Sequence, residues 1–233
     1  MEKRFWLILT AVVVVLIGVF ILTGGKADNS GSDFAGDATQ VQNDDNIVNP
    51  EASRDVVLIE YGDFECPGCA ALHPVLKQVE TEFSDTVTFI FRHFPLTSIH
   101  QNAFAAHRAA EAAGRQGQFY GMHDLLYENQ ETWNGPSAVD PNGATIDQAA
   151  AIFEQFAAQL NLDIEQFKAD YASEGVANFI NTQLDSGRQL DIASTPTLLL
   201  NGQQIATPSS LEELSQTLQS AVDEAANNQQ TDQ

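Results

Sequence analysis

Cys66 and Cys69 are the only cysteines in this chain of 233 residues, and they stand in the run YGDFECPGCAALHP, residues 61–74. Two thiols at that spacing have three chemical uses: a structural disulfide, half of a metal site, or a pair that cycles between dithiol and disulfide. A bridge between them would close a very short loop, and in the chain-entropy account short loops add little stability. A closed structural zinc site takes four ligands, and although His73 falls one helical turn beyond Cys69, no further cysteine completes a set. Redox exchange fits best. Pro67 suits the first turn of a helix, where its missing N–H costs nothing. A sulfur at a helix N-terminus meets unpaired N–H groups and the positive end of the dipole, which favour a thiolate. A lowered pKa makes one cysteine of such a pair reactive at neutral pH. Cys66 is therefore expected to be the exposed nucleophile, and Cys69, one turn in, the buried partner that resolves a mixed disulfide.

The elements that must hold this pair read as follows. DVVLIEYG (55–62) is a short, nearly continuous apolar run, as in a strand covered on both faces, and it leads straight into the cysteines. A helical pattern follows to about Phe83, then TVTFIFRHFPL reads as a second strand. From about 97 to 190 the pattern is helical, with Thr145/Gln148 and Asp163/Gln166 placed as capping boxes and Val176, Ile180, Leu184 and Gly187 on one stripe. STPTLLLNGQQIAT then gives two strands around Asn201-Gly202, the strongest short hairpin signal. Ser209 and Glu212 are placed to cap a last helix carrying Leu211, Leu214, Leu218 and Val222.

Written out, the order is βαβ, a block of helices, then ββα. With YGDFECPGC, FRHFPL, the block HQNAFAAHRAAEAAGRQGQFYGMHDLLYE and STPTLLLNG in that sequence, the chain resembles the DsbA-like thiol–disulfide oxidoreductases, an α/β thioredoxin fold with a helical insertion. The resemblance covers residues 54–226 and implies several roles. Glu60, which interrupts the first strand, would lie beneath Cys69 as its proton acceptor, its pKa raised by burial; the rival reading is a strand-end carboxylate in solvent. Pro196 would be a cis-proline facing the cysteines and keeping metal off them, and Thr195 before it would pair its backbone with an extended substrate. Pro67 and Gly68 would tune the potential; the strongest oxidants carry histidine in place of Gly68, so an oxidase of intermediate potential is expected. The alternatives are a reductase or isomerase of the same fold, and a peptide-binding or chaperone module. No cofactor or metal is expected. The implied partners are the thiols of unfolded or partly folded secreted proteins and a membrane redox partner that resets the pair, with the chain itself a monomer. Asp63 and Glu65 would oppose thiolate formation if close to Cys66. His93, His100, His107 and His123 are expected to be packed or surface residues without a role in the chemistry.

The net charge of −22 repels phosphate backbones and anionic lipid, which argues against nucleic-acid binding. Residues 1–23 carry Lys3 and Arg4 followed by an uncharged apolar run, long enough to cross a bilayer. A cleaved signal peptide is the rival reading, though no A-x-A-like site is evident. Either way the positive end stays in the cytoplasm and the rest of the chain lies outside it. Residues 24–53, rich in Gly, Ser, Asn, Asp and Gln, read as a flexible linker, 54–226 as the folded domain, and 227–233 as a polar tail.

Overall fold

A computed structural model of the chain describes residues 38–136 and 142–231, all within the unit Phe34–Gln233. The anchor assigned to residues 1–23 lies outside the described residues, as does the linker as far as residue 37. Among the described residues no helix is long and apolar enough to cross a membrane.

The centre is a five-stranded sheet in the order β1-β3-β2-β4-β5, where β1 is Asn46–Ile47, β2 Val57–Gly62, β3 Thr88–His93, β4 Thr197–Leu200 and β5 Gln203–Ile205. β2 runs parallel to β3 and antiparallel to β4, so it is paired on both edges and its continuous apolar run is buried on both faces. Helix α1 (Pro67–Glu82) joins β2 to β3. Among the described residues six helices follow before β4: α2 (Ala103–Gly114), α3 (Phe119–Glu128), α4 (Gln130–Trp133), α5 (Ile146–Gln159), α6 (Ile164–Ala172) and α7 (Glu174–Gln189). The chain then turns through Asn201 and Gly202, both at positive φ (49° and 78°), as a two-residue hairpin requires, and ends in α8, Leu211–Thr231.

Strand alternation divides the core. Leu58 and Phe89 face α1 and α8, where Leu72, Leu76, Val79, Leu214 and Leu218 close an apolar layer. Ile59, Tyr61 and Ile90 point the other way, onto Leu184 of α7. A third cluster, with Phe64, Met122, Leu126, Trp133 and Phe153, fills the insertion and reaches Cys66 and Cys69.

Three boundaries differ from expectation. Residues 38–53 are not free linker. Arg92, fully buried in β3, holds Asp45 by a two-pronged ion pair at 2.8 Å and 2.8 Å, and also binds the carbonyls of Ala38 and Gln40. A guanidinium buried this deeply needs every donor satisfied, and this segment satisfies them. β1 adds a short strand against β3 in the same stretch. Residues 227–231, expected as tail, continue α8, where Gln229 donates to Asp55 at 2.8 Å. The cap of α8 sits one residue later than expected: Ser210 Oγ accepts from the Glu213 N–H at 3.2 Å, while the Glu213 carboxylate returns to Ser209. Thr145 and Gln148 form the full capping box of α5; Asp163 caps α6, but the Gln166 side chain turns to Asp170.

Candidate active site

The cysteines lie where β2 ends and α1 begins. Cys66 is the N-cap of α1, with extended backbone (φ −76°, ψ 121°), and Pro67 opens the helix. No side chain caps these N–H groups, so they are free to face the sulfur of Cys66 itself. The pair is unbridged, and Cys66, expected to be exposed, is itself buried at 8% exposure, because the Thr195-Pro196 segment and the insertion pack over it. A hydrogen bond from the Cys69 thiol outweighs the cost of burial and, with the Thr195 side chain and the N–H groups of Cys69 and Gly68, lowers the Cys66 pKa to about 5. Cys69 is fully buried; that burial, the bond to Cys66 and the nearby Glu60 carboxyl push its thiol well above the usual value. One sulfur is thus an anion at neutral pH and its neighbour a proton carrier.

Thr195-Pro196 closes the site from the start of β4, with a cis bond between the two residues. The Cys66 Sγ lies 3.4 Å from the Thr195 carbonyl oxygen, and the buried Thr195 hydroxyl has no hydrogen-bond partner. Gly68 faces the same proline: a Cβ there would stand 3.3 Å from Pro196 Cδ and 3.6 Å from the Cys66 sulfur. A side chain at this position would therefore lie against the proline ring and the nucleophilic sulfur.

Glu60 is buried on the β2 face turned to α1, not at a solvated strand end. Burial, then the charges of Glu80 and Cys66, raise its pKa to about 8, so at pH 7 it is chiefly protonated. Asp63 and Glu65 are also buried, and their oxygens are committed elsewhere. Asp63 accepts from the N–H groups of Glu65 and Leu96, both at 2.9 Å, and pairs with His100 at 2.7 Å. Burial alone would raise its pKa, but the bonds from His100 and His107 hold it well below the carboxylate range. Glu65 accepts from the N–H groups of Asn102 and Gly135, both at 2.6 Å. The two carboxylates therefore tie the cysteine loop to the insertion.

The histidines are packed, as expected, but they also form a network that sequence reasoning missed. From Asp63 the contacts pass through His107 to His93, whose rings meet Nδ1 to Nδ1 at 2.5 Å, and on to Glu111 at 2.7 Å. A signal was available: Arg92 and His93 interrupt an apolar strand just as Glu60 does. His73, His123 and Asp124 form a group able to hold a metal ion, with donor atoms within 4.8 Å of one another. The Lys77 ammonium stands 2.6 Å from Asp124 and already supplies positive charge there. The cysteines take no part in this group.

Known proteins agree with this architecture. A thioredoxin family model matches residues 43–220. The chain belongs to the thioredoxin family. Among solved structures of that fold, α-DsbA1 of Wolbachia pipientis superposes with a TM-score of 0.67 at 16% identity, covering 81% of this chain and 96% of its own. A thioredoxin-like oxidoreductase from Silicibacter pomeroyi DSS-3 gives 0.62 at 23%, covering 82% and 97%. BdbD of Bacillus subtilis gives 0.59 at 19%, covering 72% and 88%. These identities carry the fold alone. Curated relatives include a Salinispora tropica protein named as Na(+)/H(+) antiporter NhaA 3, 32% identical over 177 residues, or 76% of this chain and 24% of that one. The chain spans about a quarter of the length of the curated relatives it matches.

Proposed function

We propose that this thioredoxin-family chain is a protein thiol–disulfide oxidoreductase whose net direction is oxidation of client thiols outside the cytoplasm. The observation that carries the reading is the geometry of the pair: Cys66 caps α1 against the cis Thr195-Pro196 segment while Cys69 is fully buried one turn in, an arrangement that lowers the Cys66 pKa to about 5 and holds the Cys69 thiol well above the usual value. In the oxidising direction a client thiolate attacks Cys66 Sγ of the Cys66–Cys69 disulfide. That bond breaks and Cys69 leaves as a thiolate, taking a proton from Glu60. A second client thiolate then attacks the client sulfur of the mixed disulfide. Cys66 departs as a stabilised thiolate, the client holds the new disulfide, and the protein holds the two electrons as a dithiol. The client chain lies extended along Thr195 and Pro196, and a membrane redox partner reoxidises the pair. Residues 1–23 anchor the domain with the N-terminus in the cytoplasm.

A stable thiolate stabilises the reduced form, which makes the oxidised form a stronger oxidant. A Cys66 pKa of about 5 lies between the values of about 7 for thioredoxin and about 3.5 for DsbA. The potential should therefore lie between about −270 and −120 mV. Equilibration against glutathione measures it, and a Cys69→Ala variant should trap mixed disulfides through Cys66. A potential at or below about −270 mV with no trapped client would make the oxidase reading wrong.

A further inference from the structure

Cys69 and Glu60 are both sealed from solvent, yet each must exchange a proton once per cycle. The structure offers a way out. A cavity of ≈ 10 Å³ lies where α1 and α3 meet β2 and β3, and that volume corresponds to about one water position. Glu60 and Glu80 line it together with Leu58, Leu76, Phe89 and Tyr120. Glu60 Oε1 is buried there with no hydrogen-bond partner, a deficiency that a water in the cavity would relieve. Glu80 is only half-buried. It follows Cys69 by 11 residues, which at 3.6 residues per turn returns to the same stripe of α1, about 16 Å further along the axis. One helix thus carries the buried sulfur at its start and a partly exposed carboxyl near its end, with Glu60 on the facing strand.

We propose that Glu80 is the outer carboxyl of a two-carboxyl proton path whose inner member is Glu60, with a water in the intervening cavity carrying the proton between the two carboxyls and Glu60 exchanging it with the Cys69 sulfur. The proposal rests on the oxidoreductase reading of the same site and deepens it. In the oxidising direction Glu60 gives its proton to the departing Cys69 thiolate, and Glu80 replaces it from solvent. When the pair is reoxidised, Glu60 first passes its proton through the water to Glu80 and solvent, and the carboxylate so formed takes the proton of the Cys69 thiol. The environment suits both members: burial raises Glu80 to about 7, opposed by Lys77 and assisted by Asp124, while Glu60 stands at about 8. The other groups facing them are neutral by burial or committed: His123 is pushed down, and Tyr120 is pushed up and donates its hydroxyl to the Asn46 carbonyl. Cys66, Cys69 and the buried Tyr127 hydroxyl, which burial keeps neutral, are the remaining titratable groups facing Glu60.

Carboxyl-carbon NMR titration of the full chain in the reduced state, with Glu80→Gln beside the wild type, tests the path. Removing the neighbouring negative charge should move the Glu60 midpoint down from about 8. The rate at which Cys69 resolves a Cys66–glutathione mixed disulfide should fall about tenfold or more, with an altered pH profile. Alkylation of Cys66 should stay within about twofold, and Glu80→Asp should recover much of the resolution rate. An unmoved Glu60 midpoint with an unchanged resolution rate overturns the path. Equal slowing in Glu80→Gln and Glu80→Asp with the wild-type pH profile also overturns it, because that marks a structural role. A wild type that forms no glutathione adduct at Cys66 overturns the oxidoreductase reading and the path together; adduct formation with an unaffected Glu80→Gln overturns the path alone.

Discussion

Two regions flank the central sheet and are held by different forces. Between the sheet and helices α1 and α8, the contacts are those of Leu58, Leu72, Leu76, Val79, Phe89, Leu214 and Leu218, an apolar layer at the sheet's centre. Where the insertion meets the cysteine loop, the buried residues include Asp63, Glu65, His93, Asn102, His107 and Gln183. The first region is stabilised by area removed from water, which tolerates modest repacking. The second depends on matched donors and acceptors, which tolerate little, because one lost partner leaves others buried and unpaired. The difference teaches that the sheet and α1 place the cysteines, while the polar junction fixes the loop that presents them.

Asp63→Asn should break the comparison hardest. It removes a buried carboxylate that holds His100 and two backbone N–H groups, and should cost about 3–5 kcal/mol near neutral pH. Because the folded state depresses this carboxyl, its contribution is present above the ordinary value of 3.8 and is lost as pH falls toward the lower folded value. Denaturant unfolding at a series of pH values should therefore show the Asp63→Asn deficit narrowing in acid. Leu76→Ala, on the apolar side, should cost about 2–5 kcal/mol with no such narrowing and with Cys66 titrating as before. Glu60→Gln should do the reverse. A carboxyl raised from 4.5 to about 8 contributes stability below its unfolded pKa and loses it as pH rises through the folded value. The glutamine variant should be more stable than the wild type by about 3 kcal/mol at pH 7 and no different below pH 4, while resolving mixed disulfides more slowly. Thr195→Val should be the mildest. Removing a hydroxyl that is unpaired beside the thiol but can donate to the Cys66 thiolate should raise the midpoint of its alkylation by about one pH unit and leave thermal unfolding nearly unchanged.

The apolar region was legible from periodicity. β2, α1 and β3 follow from one apolar run, a Pro-Gly between cysteines and a second run; β4 and β5 follow from the Asn201-Gly202 turn; the α8 stripe follows from Leu211, Leu214, Leu218 and Val222. Each is a local pattern that burial then enforces. The polar junction was legible only where a charged residue broke such a pattern, as Glu60 did. Asp63 and Glu65 could not be distinguished from solvated loop residues, because the N–H groups that satisfy them lie on Leu96, Asn102 and Gly135, far along the chain. Asp45 was hidden for the same reason: its partner Arg92 is 47 residues away, and a polar run with a two-residue strand has no periodicity to read. Ser210 capping in place of Ser209 is a one-residue ambiguity between adjacent serines, which only the backbone path of α8 resolves.

The central claim is that the sulfur at the start of α1 is ionised at neutral pH because the Cys69 thiol first, then the Thr195 side chain and the helix N–H groups, stabilise its charge. Thiolate ultraviolet absorbance of the reduced chain, followed across pH with Cys66→Ser as the blank, measures this directly. The account predicts a midpoint near 5, far below the ordinary thiol value of 9.0. A midpoint near that ordinary value would contradict it.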